Sequence, residues 1–531
     1  MARSPIAMLA VLILNTVTSL PVLEGSQSER QKAEELLKAG RVEEALPLLL
    51  NQHRLQPADA ALSYQIGLAY TRLEQLDSAA EFYRKALHVN PRLIPARRNL
   101  ATVLWFQGQK TESEKQFHAV SKVQPEDPIA HFYLGVAAFE RKEFATARDR
   151  FLKGGDLAFR NPESLPMVLE TFLAAKDLEA VNRLLQIAGT EADLSVESRF
   201  RVGLLFGRYG HFDRAVQSLF QIRETYPDRK VLLRNLGLAQ LESGEFQDAI
   251  ATFQSGVELG DDSMDVQLWL AEAYEKSGNP EGAYQALSKA VDRSPSNEVG
   301  YLALAQFASA HHNNEFAVQI LERGLKKIPG SSKLLVEKGV LHALDQDFQS
   351  AQISFEQAAQ SEPTSTLPLL SLGLVKLQSG KLDQAVAMFK EAGSRDSGDY
   401  RPRYLLALSL IRMGGQDEPV QRKAILDALR EALKCKPDHV ESLVSLGQTL
   451  MADGQTDSAL AQLKKAVALD PEHATALYQL GLAYRKLGKL QEAQQSLTAF
   501  ENLKVKSKQE EDEARRELVQ ILKLVSGRSR N

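Results

Sequence analysis

The sequence predicts an all-α solenoid of antiparallel helix pairs closed by a C-terminal capping helix. Three observations predict it. A pattern of small residues recurs at a fixed spacing along almost the whole chain. The composition favours Ala, Leu, Glu, Gln and Lys, which lose little on entering a helix. No stretch alternates β-branched residues between turn signals, as a strand with one buried face would.

Composition narrows the function classes. The 531 residues are 44% hydrophobic and 25% charged, ordinary values for a soluble protein. The net charge is −4, and neither sign runs in long blocks. A nucleic-acid binder needs a basic footprint to displace counterions, so this balance argues against that class. The one cysteine, Cys435, can form neither an internal disulfide nor a CxxC metal site. It is expected to be a half-buried small residue near a helix end. Lys434 and Lys436 beside it are the reason to consider a reactive thiol.

The chain starts with Arg3, then the apolar run from Ile6 to Leu14, then the polar and small residues Asn15 to Ser19. A positive start, a short apolar core and a small-residue exit read as a secretory signal peptide over 1–25. Cleavage is expected after Val17 and Ser19 or near Gly25. The run is too short for a hydrocarbon core of about 30 Å, and the alternative is a buried N-terminal helix. No later apolar stretch reaches membrane-spanning length, so the mature chain is expected to have no integral span. The expected location is periplasmic or extracellular.

The repeat follows over 26–503. One small position reads Ala33, Gly67, Ala101, Gly135, then Leu169, then Gly203, Gly237, Ala271, Ala305, Gly339, Gly373, Ala407, Gly447 and Gly481. Every step is 34 residues except the 40 from Ala407 to Gly447. Twelve residues on, a second position is mostly Ala, with Ser113, Val181 and the later Ile425 as departures. Many units close with proline, among them Pro57, Pro91, Pro125, Pro295 and Pro437. Each unit therefore reads as helix, tight turn, helix. Ala60 to Leu73 and Ser78 to Val89 show the pair, with Glu74 to Asp77 turning. The small residue in the first helix lets the second approach, and the later Ala sits at the crossing. Tyr83, Phe117, Phe151, Phe253, Phe355 and Phe389 are expected to fill the space between neighbouring units. Proline stops the second helix because it lacks an N–H and clashes with the preceding turn.

Unit two, with Gly67, Tyr70, Ala79, Tyr83, Ala86 and Pro91, resembles the tetratricopeptide-repeat family, as does the last unit at Gly481, Tyr484 and Ala493. The resemblance covers roughly Gln27 to Leu503 in about fourteen units. It implies a right-handed superhelix whose first helices line a concave groove. It also implies a protein or peptide partner bound there. Two units depart from the pattern. In unit five, Leu169 and Val181 at the small positions predict a splayed or kinked pair. In unit twelve, the extra residues around Met413 to Pro419 predict a longer turn between its helices.

The segment 504–531 is charged at Glu510 to Glu513, Arg515 and Arg516, and apolar at Leu518, Ile521, Leu522 and Leu524. A solenoid needs a polar cap where its last unit has no neighbour, and this segment is expected to supply it. The alternative is a coiled-coil helix for self-association.

No catalytic or cofactor motif is present in the sequence. Gly108 to Thr111 lacks the order of a phosphate loop, and His311-His312 falls where a solvated turn is expected, with no third metal ligand near it. Function is therefore assigned to the groove. Repeat positions 5, 9 and 12 are unusually apolar and aromatic, which marks an interaction surface. Its candidate residues are Tyr64, Arg98, Trp105, Phe132, Phe139, Phe200 and Arg234. Aromatic side chains dominate hot spots, so Trp105, Phe132, Phe139 and Phe200 are the expected anchors. The alternative is that positions 5 and 9 pack against the next unit's first helix and belong to the core. The expected function is a non-catalytic scaffold, or a regulatory or assembly subunit of an envelope or secretion-linked complex.

Overall fold

The computed structural model describes residues 27–160, 163–187 and 194–507. The predicted signal segment and nearly all of the predicted cap lie outside these residues. Among them there is no strand, and the chain forms two compact units, Met1–Gly260 and Asp261–Asn531.

The first unit is a succession of hairpins: α1 (Gln27–Lys38) with α2 (Val42–Leu55), α3 (Ala60–Arg72) with α4 (Leu76–Val89), and α5 (Ile94–Phe106) with α6 (Lys110–Val123). Next come α7 (Pro128–Glu140) with α8 (Phe144–Gly154), the single turn α9 (Asp156–Phe159), and α10 (Leu165–Ala174) with α11 (Leu178–Ile187). The pairs α12 (Val196–Arg208) with α13 (Phe212–Phe220) and α14 (Arg229–Ser243) with α15 (Phe246–Glu258) complete it. The second unit has α16 (Met264–Lys276) with α17 (Pro280–Arg293), α18 (Glu298–Ala310) with α19 (Asn314–Lys327), and α20 (Ser332–Leu344) with α21 (Phe348–Ser361). It continues with α22 (Leu367–Gln378) and α23 (Leu382–Arg395), and α24 (Arg401–Arg412) and α25 (Pro419–Cys435). It ends with α26 (Val440–Ala452) and α27 (Thr456–Leu469), and α28 (Ala474–Lys486) and α29 (Leu490–Ser507). In each unit a helix packs on the one before and the one after, except that α12 packs more on α10 than on α11, and first helices of successive hairpins also touch, as α12 does α14 and α20 does α22.

The hairpin closes on one steric fact. A Cβ built on Gly67 would lie 2.6 Å from the ring of Tyr83, and one on Gly135 would lie 2.7 Å from the ring of Phe151. Gly203 meets Leu219 and Gly447 meets Leu463 in the same way. The large residue of the second helix therefore rests on the small residue of its own first helix, and is fully buried there. This corrects the expectation that these aromatics mainly fill the space between units. Phe117 does reach across, stacking on Tyr133 of the next hairpin with centroids 4.9 Å apart. The second small position is buried throughout, and where it is Ser113 the hydroxyl donates to the Ala101 carbonyl at 2.6 Å.

Successive hairpins are joined through the closing proline. At Pro91, Pro125 and Pro295 its carbonyl meets a side chain from the fourth residue of the following unit. Arg97 donates to Pro91 at 2.8 Å and Tyr301 to Pro295 at 3.2 Å, and a His131 ring nitrogen lies 2.6 Å from the Pro125 oxygen. Asp59, Asp127, Asp228, Ser263, Asn297 and Ser331 then cap the first helices that follow, accepting from backbone N–H groups. Such caps satisfy donors that have no partner inside the helix.

The departures take definite forms. In unit five Leu169 and Val181 are fully buried in helices of only 10 residues each, and the chain inserts α9 after a break at Gly155. In unit twelve the turn covers 413–418 where other hairpins have two or three residues, and α25 has 17 residues where α27 has 14. The insertion is thus shared between turn and helix. His311 and His312 occupy the turn between α18 and α19, with His312 at φ 60°. Cys435, expected to be half-buried, is exposed, because it lies beyond Ala432, the last buried residue of α25. α29 runs through 503 to Ser507 without a break, so no boundary appears at 504.

Alanine normally stabilises a helix interior over glycine by about 1 kcal/mol, whereas overpacking costs about 1–3 kcal/mol. Gly135→Ala is therefore expected to lower the denaturation midpoint. Adding Phe151→Leu should restore part of the loss, since Ala271 and Ala305 stand in register with Leu287 and Leu321. A higher midpoint for Gly135→Ala alone would refute the steric account.

Candidate binding surface

The seven candidate residues all lie on first helices of the first unit. At repeat position 5, Tyr64, Phe132 and Phe200 are 9%, 6% and 7% exposed, which places them in the core rather than on a free surface. Phe132 packs edge-on to Tyr133 at 5.4 Å and lies 6.2 Å from Phe151. Phe200 stacks on Tyr226 at 4.3 Å. The Tyr64 hydroxyl accepts from Asn99 of the next hairpin at 3.3 Å. Burial holds the hydroxyls of Tyr83 and Tyr133 well above the usual tyrosine range, so both stay neutral.

Arg98, also at position 5, is turned to a structural task. Its Nη1 binds Asp127 Oδ2 at 3.0 Å, and Asp127 Oδ1 accepts from the Ala130 N–H at the start of α7. Arg30, two repeats earlier at the same position, holds the cap Asp59 in the same way at 2.7 Å. The guanidinium thus orients the aspartate that begins the next hairpin.

Trp105 and Phe139, at position 12, are more open. Trp105 is half-buried, 5.3 Å from Tyr133, with the Lys110 ammonium 5.0 Å from its ring centroid. Lys110 also binds Glu140 of the next hairpin. Phe139 is half-buried and meets Phe144 edge-on at 6.0 Å. Trp105 and Phe132 meet only through Tyr133. Arg234 is half-buried on α14.

Between α12, α13 and α14 the surface opens into a cleft of about 400 Å³. Leu204 and Leu238 form its sides, with Gly203 and Gly207 along one wall and Asn235 and Glu242 on α14. The two glycines differ in kind. Gly203 is required, because a Cβ there would overlap Leu219. At Gly207 a Cβ would meet only the Ala215 Cβ, at 3.9 Å. Gly207 stands at position 12, where Trp105 and Phe139 stand in their own hairpins, and its missing side chain leaves the cleft open. Asn235 is held in place by donating to the Val231 carbonyl at 2.7 Å, and Arg208 beside the cleft pairs with Glu170 at 3.1 Å. Sequence reasoning passed over this site, although a glycine at an otherwise bulky position was its visible signal.

Among the described residues, no group of three His, Cys, Asp or Glu side chains is placed to hold a metal, and no helix is long and apolar enough to cross a membrane. Stacked helical hairpins define a helical-hairpin repeat protein. Tetratricopeptide-repeat models match 30–95, 98–154, 203–264 and 234–298, and again 447–488 and 474–503. The chain belongs to the tetratricopeptide-repeat family, whose members generally serve as protein-interaction scaffolds. It is similar to cellulose synthase operon protein C of Pseudomonas fluorescens, 23% identical over 67% of this chain and 30% of that protein. It is also similar to anaphase-promoting complex subunit 3 of Schizosaccharomyces pombe, 22% identical over 51% of this chain and 40% of that one. The chain thus spans less than half the length of either relative. Among solved structures, yeast Tom70 aligns with 94% of this chain and 95% of its own at 17% identity and a TM-score of 0.38.

The unequal burial of the aromatics separates frame from surface. Phe132→Ser is expected to cost about 3 kcal/mol or more, as for other phenylalanines removed from a core. Phe139→Ser should cost distinctly less. Urea denaturation of the two variants checks the order, and equal losses would place Phe139 in the core as well.

Proposed function

We propose that this protein is a non-catalytic scaffold that binds an extended segment of a partner protein along the first helices of its first unit. The observation that carries this reading is the cleft beside Gly207, an apolar slot open where packing does not require it to be. A side chain of the partner enters between Leu204 and Leu238, and Asn235 presents an amide to the partner's backbone. Half-buried Trp105 and Phe139 extend the same helix positions towards the N-terminus. Burying an apolar side chain in such a slot contributes about 1.5–3 kcal/mol, enough to select among partners but not to hold one alone.

The test fills the slot. Gly207→Leu places a side chain in the cleft and has room for its Cβ. The expected result is loss of photo-crosslinking to the partner from position 238, with the denaturation midpoint unchanged. Undiminished crosslinking in Gly207→Leu would overturn this reading.

We also propose that the chain is exported by its N-terminal segment and works in the periplasm or outside the cell. The order of Arg3, the apolar run to Leu14 and the small residues after it supports export. The likeness to a cellulose synthase operon protein favours a second reading, in which the scaffold is an assembly or regulatory subunit of an envelope complex. Mass spectrometry of the protein from its own cells should find a new N-terminus between residues 17 and 26. An intact Met1 on the mature protein would exclude cleavage there.

A further inference from the structure

The caps of the first helices change chemistry near the end of the second unit. Asp, Asn and Ser side chains cap six of the earlier first helices through oxygen. At α26 and α28 the cap is a histidine. His439 Nδ1 accepts from the Ser442 N–H at 3.3 Å and lies 2.7 Å from the Ser442 hydroxyl. His473 Nδ1 accepts from the Ala476 N–H at 3.2 Å. An accepting Nδ1 requires the neutral ring with its proton on Nε2. Protonation removes the acceptor and puts a cation at the positive end of a helix dipole.

His439 is set more deeply than an ordinary cap. Its ring is 4% exposed and lies between Tyr400, 4.6 Å away, and Tyr404, 4.9 Å away. Its Nε2 faces the Glu441 carboxylate at 3.1 Å. From the loop before it, the Lys436 ammonium sits 5.1 Å from the Tyr400 ring, and Asp438 is the preceding residue. From α27, Lys465 donates to the Pro437 carbonyl at 2.6 Å. Glu441 and Asp438 favour the imidazolium, while burial and Lys436 oppose it. Burial prevails, and the His439 imidazole is held below the usual histidine range. The unfolded chain thus takes up this proton at higher pH than the folded one. The cap contributes fully above about pH 6.5, and its contribution is lost as pH falls below that value.

We propose that α26 is an acid-responsive joint of the second unit, in which protonation of His439 releases the cap of that helix. Hairpins capped by Asp, Asn or Ser keep their acceptors over the same range. Mild acidification therefore loosens the start of α26 and leaves those hairpins in place.

Amide hydrogen exchange of the full-length protein at pH 7.5 and 5.5, corrected for intrinsic rates, tests this. In the wild type, protection of α26 is expected to fall about fivefold on acidification, the effect of losing one typical cap, while α7 behind Asp127 changes less. His439→Asn, which keeps an accepting oxygen at both pH values, should abolish that difference. Should that variant fold poorly, His439→Asp serves the same comparison. Equal changes at α7 and α26 in the wild type would overturn the proposal. So would an undiminished change at α26 in the substituted protein.

Discussion

The structure depends on one shared space in each hairpin, claimed by a small residue of the first helix and a large residue of the second. Gly67 with Tyr83, Gly135 with Phe151 and Gly203 with Leu219 occupy it by division of volume, since neither partner has room for one more carbon. The distance between the two helices follows from that division. So does the burial of the second small position, because Ala79 or Ala215 lies where the helices cross. Interiors packed at crystal-like density transmit such a constraint without slack. Each hairpin is therefore a rigid unit with a defined outer face, and stacking only has to join those faces.

The joints use polar chemistry. A proline carbonyl bound by the fourth residue of the next unit fixes the direction of chain entry, and a capping side chain fixes the start of the next helix. Arg98 adds a third element by holding the cap Asp127 from the hairpin before. These contacts are individually modest. They matter because they meet at the loops, where apolar packing is thinnest. Arg30 and Arg98 at position 5 are committed to this joint, and Phe132 and Phe200 at the same position sit in the core, while Trp105 and Phe139 stay half-open.

Much of the architecture was legible in the sequence, because the shared space is visible as a periodic Gly or Ala. Helix pairs, turns and the position of the insertion could be read from that period and from proline. The partner of each small residue was less legible. Tyr83 and Phe151 show their size but not which of two neighbouring surfaces they press on. The role of Arg98 was hidden for a related reason: a cation at a groove position looks the same whether it faces a ligand or the next helix cap. The cleft at Gly207 was missed because glycine was read only as a packing residue. Gly203 is one, whereas Gly207 leaves space that no described residue fills.

The enlarged unit twelve shows where such an array accepts foreign length. Its extra residues are divided between the turn at 413–418 and an added stretch of α25, and Ala407 and Ile425 are fully buried on either side of them. Arg422 fastens the enlarged loop to the Gln416 and Asp417 carbonyls and pairs with Asp453 of the following hairpin at 3.3 Å. The added length thus lies at a site of the repeat where neither the helix crossing nor the proline joint is disturbed. The same site is the natural port for grafting a reporter or an epitope into this chain.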